Sequence, residues 1–189
     1  MTEFGFSPTK GVQAGALTDP LQFLVACHDQ IEEHLRILEG VPANLRSPST
    51  EKRKEAKETL DQALAFLKTM GELHTEDEEL SLFPRLRENL KKDDPFGLLE
   101  LADLLETQHR EKEEAYRELA ACVAAFPPHP QPPGADDVRH AEAGIARLVE
   151  LYRPHIMIEN ERLIPLSGES LSPDDLAGMK REMQARHKL

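Results

Sequence analysis

His74-Thr-Glu-Asp-Glu-Glu-Leu-Ser-Leu-Phe-Pro84 and His155-Ile-Met-Ile-Glu-Asn-Glu-Arg-Leu-Ile-Pro165 carry the same three marks: a histidine, a glutamate four residues on and a proline ten residues on. Positions i and i+4 lie on one helix face about one turn apart, so a helical reading lets each histidine and its glutamate address the same point. Outward from these stretches the pattern repeats. His28 and His109 are also followed at the fourth position by glutamates, Glu32 and Glu113. The separations His28 to His74 and His109 to His155 are both 46 positions, so the chain has two halves offset by 81. His34, His129, His140 and His187 have no glutamate at that spacing.

Apolar residues at steps of three and four surround each of the four histidines, which predicts four amphipathic helices. The first starts at Asp19-Pro20, a capping oxygen followed by proline at the first helical position. It runs through Leu21, Leu24, His28, Ile31, Leu35 and Leu38 and is expected to end at Gly40-Val-Pro42. The second follows a loop from Asn44 to Thr50 and carries Leu60, Leu64, Leu67, His74, Glu78 and Leu82, with a bend near Pro84. Asp94-Pro95 repeats the start signal and opens the third, with Leu98, Leu105, His109, Tyr116 and Leu119. Phe126-Pro-Pro-His-Pro-Gln-Pro-Pro-Gly134 cannot be helical. The fourth carries Leu148, Tyr152, His155 and Glu159 to about Leu163, and a short last helix opens at Ser172-Pro173-Asp174-Asp175. The fold expected is all-α, an up-down-up-down four-helix bundle with a short extra C-terminal helix. Residues 1–18 form an N-terminal arm, 19–166 the bundle and 167–189 a C-terminal helical extension.

Composition narrows the function. A net charge of -12 argues against nucleic acid and an anionic membrane surface. No stretch approaches the roughly 18 apolar residues of a spanning helix. The start lacks the basic and apolar regions of a secretory signal. Two cysteines, Cys27 and Cys122, make no disulfide framework and point to a reducing compartment, so the cytoplasm is expected.

A single histidine on an apolar stripe is more often a hydrogen-bonded core residue than a ligand. Four such histidines on four helices at one repeated period need a common cause. A buried carboxylate without a partner costs several kcal/mol, and metal removes that penalty along with the unmet need of the imidazoles. Two metals about 3.5–4 Å apart use four imidazoles and two bridging carboxylates well. For an octahedral ion, two positions then remain, one for a bridging oxygen and one for a small molecule. Imidazole suits Zn, Cu, Fe and Ni, and added carboxylates shift the balance toward Fe or Mn.

At these residues the chain resembles the hemerythrin-like, histidine–histidine–glutamate (HHE) cation-binding family. The resemblance covers about residues 18–166 and rests on His28-Asp-Gln-Ile31, His74 through Pro84, His109 with Glu113, and His155 through Pro165. It implies a bundle holding two Fe ions in a non-haem, oxo- or hydroxo-bridged di-iron centre that reacts with dioxygen, nitric oxide or peroxide, with Mn or Zn as alternative metals. It carries over His28, His74, His109 and His155 as terminal ligands and Glu78 and Glu159 as bridges. Oxygen-carrying hemerythrins have a further histidine where this chain has Glu113, and bridge with an aspartate five residues after the last histidine rather than a glutamate at four. The ligand pattern is nearer to bacterial di-iron proteins linked to repair of damaged iron-sulfur centres.

Glu32 and Glu113 stay open as extra ligands, acceptors for histidine N–H groups, or solvated or channel-lining charges. Tyr116 and Tyr152 are expected to pack, and Cys27, about 100° round the helix from His28, is left out of the site. The expected function is a binding or sensing module that takes up a small oxidant or supplies iron, without a dedicated catalytic activity. A di-iron oxidase, peroxidase or nitric oxide reductase is the alternative, and a helical protein stapled by zinc is the next. The partner expected is a small diatomic or peroxide ligand, with no nucleic acid and no membrane.

Overall fold

The structure, a computed structural model, describes residues 17–189. Apart from Leu17 and Thr18, the arm expected over residues 1–18 lies outside the described residues. The fold is an all-helical bundle. Its long helices are α1 (Pro20–Leu45), α2 (Thr50–Asp77), α4 (Leu98–Ala124) and α5 (Ala135–Ile158). A π-helical turn, Glu78–Leu82, continues α2 into α3 (Phe83–Leu90); a second, Glu159–Leu163, continues α5 into α6 (Ile164–Ser170). α7 (Pro173–His187) follows. α1 packs against α2 and α5, α4 packs against α5, and α7 rests on α2 and α1. No helix among the described residues is long and apolar enough to cross a membrane.

Three boundaries differ from the sequence expectation. α1 runs on to Leu45 with Pro42 in its last turn. The lost N–H is offset by burial of Val41, Pro42 and Leu45. α4 begins at Leu98, three residues beyond Pro95, because Asp94 reaches forward from outside the helix. Its carboxylate accepts the N–H groups of Leu98 and Leu99, both at 2.9 Å, while Gly97 turns the chain with φ of 67°. The helix at Pro84 does not stop; it widens. Phe83 N–H reaches back five residues to the Glu78 carbonyl, and Ile164 N–H does the same to Glu159. In each case proline is the next residue. Its ring would crowd the carbonyl four residues earlier and it has no N–H to give, so a π turn there releases the conflict.

Other starts stand as read. Asp19 accepts from Leu21 N–H at 2.9 Å with Pro20 in the first turn, and Ser172 and Asp175 cap α7 reciprocally.

The core has two parts. One gathers Leu35, Leu38, Leu60, Leu67, Leu119, Ile145 and Leu148. The other gathers Leu24, Leu82, Phe83, Leu86, Leu98, Leu105 and Leu163, with Met179 and Met183 of α7. Each fully buried leucine contributes about 1.5–3 kcal/mol. Between the two apolar parts, at one level on all four long helices, come His28, His74, His109 and His155. The polar layer is thereby held from both ends.

Candidate metal centre

Each half of the chain brings two histidines and one glutamate to this layer. The first half supplies His28 of α1, His74 of α2 and Glu78, the first residue of one π turn; the second supplies His109 of α4, His155 of α5 and Glu159, the first residue of the other. All six side chains are buried. Their ligand-type atoms fall into two sets, each within 4.8 Å of one another: His28, His74, Glu78 and Glu159, and Glu78, His109, His155 and Glu159. Both carboxylates belong to both sets.

The distances show how close these groups stand. His155 Nε2 is 2.7 Å from Glu159 Oε1, His28 Nε2 is 2.9 Å from Glu159 Oε2, and His109 Nε2 is 3.2 Å from Glu78 Oε2. The Nε2 atoms of His28 and His74 are 2.9 Å apart. Outward-facing Nδ1 atoms are held differently. His28 Nδ1–H donates to Asn160 Oδ1 at 2.7 Å, His109 Nδ1–H to Glu79 Oε1 at 2.7 Å, and His155 Nδ1–H to Gln108 Oε1 at 2.8 Å. A neutral imidazole that donates from Nδ1 presents a lone pair at Nε2. Three of the rings therefore aim lone pairs at carboxylate oxygens, which also only accept.

That arrangement needs a cation. Among the described residues, the buried side-chain polar atoms without a hydrogen-bond partner include both oxygens of Glu78, both of Glu159, Nε2 of His109 and of His155, and Nδ1 of His74. Outside this group only Gln30 Oε1 shares that state. Buried polar groups are nearly always satisfied, so a cluster of orphans this dense is what a metal's donor set looks like.

Without metal, protons take the place of the cation. Burial opposes the charge on His109, but the hydrogen bonds and charges of Glu159 and Glu78 prevail and lift it to about 9. His28 is raised for the same reason, with Glu159 foremost against burial. Burial alone would raise the Glu159 carboxyl; the surrounding His155, His109 and His28 instead bring it well below the usual range. His155 goes the other way, down to about 4, through burial and then the nearby Lys112 ammonium.

The family model of the hemerythrin HHE cation-binding domain matches residues 19–167. The chain belongs to the hemerythrin HHE family. An uncharacterized protein of Haemophilus influenzae is similar to this HHE protein, 28% identical over 177 residues that make up 94% of this chain and 95% of that one. Family membership implies metal binding, and the two His/Glu sets are where this HHE domain can hold it.

Glu32 and Glu113 join neither set. Glu32 is taken by Arg153 at 3.2 Å and Arg36 at 3.4 Å on the outer face of α1. Glu113, with a side chain 59% exposed, stands 3.7 Å from Arg117 and lines a cavity beside α4. The acceptors of the histidine N–H groups are Asn160, Glu79 and Gln108, none of which stands four residues after a histidine of the layer. Glu79 and Asn160 occupy equivalent places, one residue after each shared glutamate, and the 81-residue offset was the signal for them. The position matching Gln108 in the first half is Cys27, and there His74 Nδ1 is left without a partner. Burial, then Asp77 and Glu78, push that thiol up to about 12. Asp77 is fully buried and binds Arg186 and, at 2.7 Å, His187 Nε2, which ties α7 to the edge of the metal layer.

Proposed function

We propose that this HHE domain holds two iron ions, one in each His/Glu set, and that its role is to bind or sense a small oxidant such as dioxygen, nitric oxide or peroxide, or to supply iron. The observation that carries the reading is the pair of shared carboxylates, Glu78 and Glu159, each common to both sets. His28, His74, His109 and His155 serve as terminal ligands and the two glutamates as bridges. A mixed imidazole and carboxylate donor set favours iron or manganese over zinc. When bound, two such ions supply redox electrons and Lewis acidity toward a small ligand. The chain's own part is to fix the rings through Asn160, Glu79 and Gln108, and to keep bulk water out with the apolar cores above and below.

The same reading takes the long helices along an up-down-up-down path, with residues 19–166 as the metal-binding unit. A cytoplasmic setting and a kinship with iron-centre-repair proteins are proposed with it. Reversible oxygen carriage is not, because the third helix offers Glu113, turned to solvent and Arg117, where carriers have a histidine.

Visible absorption before and after admitting air to the reduced, iron-loaded protein tests this. The expected result is a new absorption that argon purging does not reverse. An unchanged spectrum in iron-loaded protein would overturn the oxidant reading.

A further inference from the structure

The two halves of the metal layer are alike, but two positions break the likeness on one side. Lys112, one turn after His109, stands where the first half has the buried Ile31. Tyr152, one turn before His155, stands where the first half has Gly71. The two replacements meet: Lys112 Nζ lies 4.8 Å from the centre of the Tyr152 ring. The Tyr152 hydroxyl lies over Gly71, where even a Cβ would come within 3.1 Å of it. A cavity of about 360 Å³ opens at this place between α2 and α4, lined by Lys112, Tyr152, Leu67, Tyr116 and His109. It is of the size that small organic ligands occupy, larger than a diatomic needs.

Lys112 is only 4% exposed, and no acceptor among the described residues lies within hydrogen-bond or ion-pair distance of it. The Tyr152 hydroxyl, which also lines the cavity, likewise has no hydrogen-bond partner among the described residues. Lys112 lines the cavity, and burial lowers the pKa of its ammonium to about 8. The charges that favour it from a distance are Glu159, Glu78 and Glu79. Glu79 is already bound to His109 Nδ1. On the metal reading proposed above, Glu78 and Glu159 spend their charge on the ions. Lys112 then faces a positive centre, and it keeps its proton only where an anion in the cavity balances it. Four carboxylates also line the cavity, each already partnered: Glu72 by Lys68, Glu76 by Arg186, Glu79 by His109 and Glu113 by Arg117.

We propose that the cavity between α2 and α4 is a binding site for a small monoanion with two oxygens, a carboxylate or an ion of nitrite's shape, seated on Lys112 Nζ and the Tyr152 hydroxyl. The apolar wall of Leu67 and Tyr116 accommodates the body of a small carboxylic acid. The site belongs to one side of the layer only, because Ile31 and Gly71 supply neither charge nor hydroxyl on the other.

Calorimetric titration of metal-loaded protein with benzoate, and separately with nitrite, tests the assignment. Lys112→Met and Lys112→Arg are titrated alongside, and metal content is measured in the same samples. The expected result is saturable binding that Lys112→Met weakens at least about tenfold at unchanged metal content, with Lys112→Arg retaining it. Tighter binding of benzoate than nitrite assigns the site to an organic acid; the reverse assigns it to a bare oxyanion. Equal binding by wild type and Lys112→Met, or no binding of either probe, overturns the proposal. So does loss of metal from Lys112→Met, which would make the ammonium part of the centre's own framework. A wild type that takes up no metal on loading yet still binds through Lys112 would sink the metal reading and leave the anion site standing.

Discussion

Glu79 Oε1 lies 2.7 Å from His109 Nδ1, and Glu79 is a carboxylate where the matching place in the other half has the amide of Asn160. A charged acceptor makes the imidazole behind it a stronger donor than a neutral one does. Glu79→Gln is therefore expected to weaken metal affinity by about 10–100-fold, as measured by competition with a coloured chelator. Asn160→Gln, which keeps an amide, should change affinity less. Equal losses in the two variants would mean that the carboxylate has no special part.

His109→Ala should lose metal and His140→Ala should keep it. Both histidines sit on long helices, but His109 is buried in the layer and His140 is exposed on α5. Elemental analysis of the two variants side by side decides this. Equal metal content would show that the wrong histidines have been chosen.

The pH dependence of stability should change character when metal binds. In metal-free protein His109 titrates at about 9, above the 6.5 of an unfolded histidine. Its contribution is therefore complete below about pH 6.5 and is lost as pH rises through about 9. Glu159 is lowered from 4.5, so its contribution is present above that value and fades as pH falls toward its folded pKa. Metal replaces the proton on His109, so the loaded form should keep its stability over pH 6.5 to 9. Thermal unfolding with and without metal at these two pH values measures it. Parallel trends in both forms would count against the cluster.

Asp77→Ala should cost about 1–3 kcal/mol, because it removes the buried acceptor of Arg186 and His187 and leaves Arg186 only the more distant Glu76 and the Ser81 hydroxyl. The loss should appear both in urea unfolding and as easier proteolysis of α7. Undiminished stability would mean that α7 is held by its remaining contacts, Met179 and Met183 in the core and Glu182 on Arg85.

The residues of the two His/Glu sets were legible because their spacing repeats on the helices: His74 and Glu78 recur as His155 and Glu159. The same spacing left the roles of Glu32 and Glu113 open, since four residues on a regular helix also suits a surface ion pair, and arginines nearby take both. Glu79, Asn160 and Gln108 act from beside a site residue rather than one turn away, so the spacing of four did not mark them, although the 81-residue offset aligns Glu79 with Asn160. Two helix ends were misplaced for local reasons. Asp94 caps from three residues before Gly97 ends its turn, and burial carries α1 past Pro42. The π turns were invisible as such, although a proline six residues after each shared glutamate was their only outward trace.

Metal analysis of protein made in iron-sufficient cells tests the centre most directly. Two sets of donors that share Glu78 and Glu159 should yield about two iron atoms per chain, and Glu159→Ala should bring the content down for both ions together. Stoichiometric zinc with no iron, or a single metal that survives Glu159→Ala, would contradict a centre built on shared carboxylates.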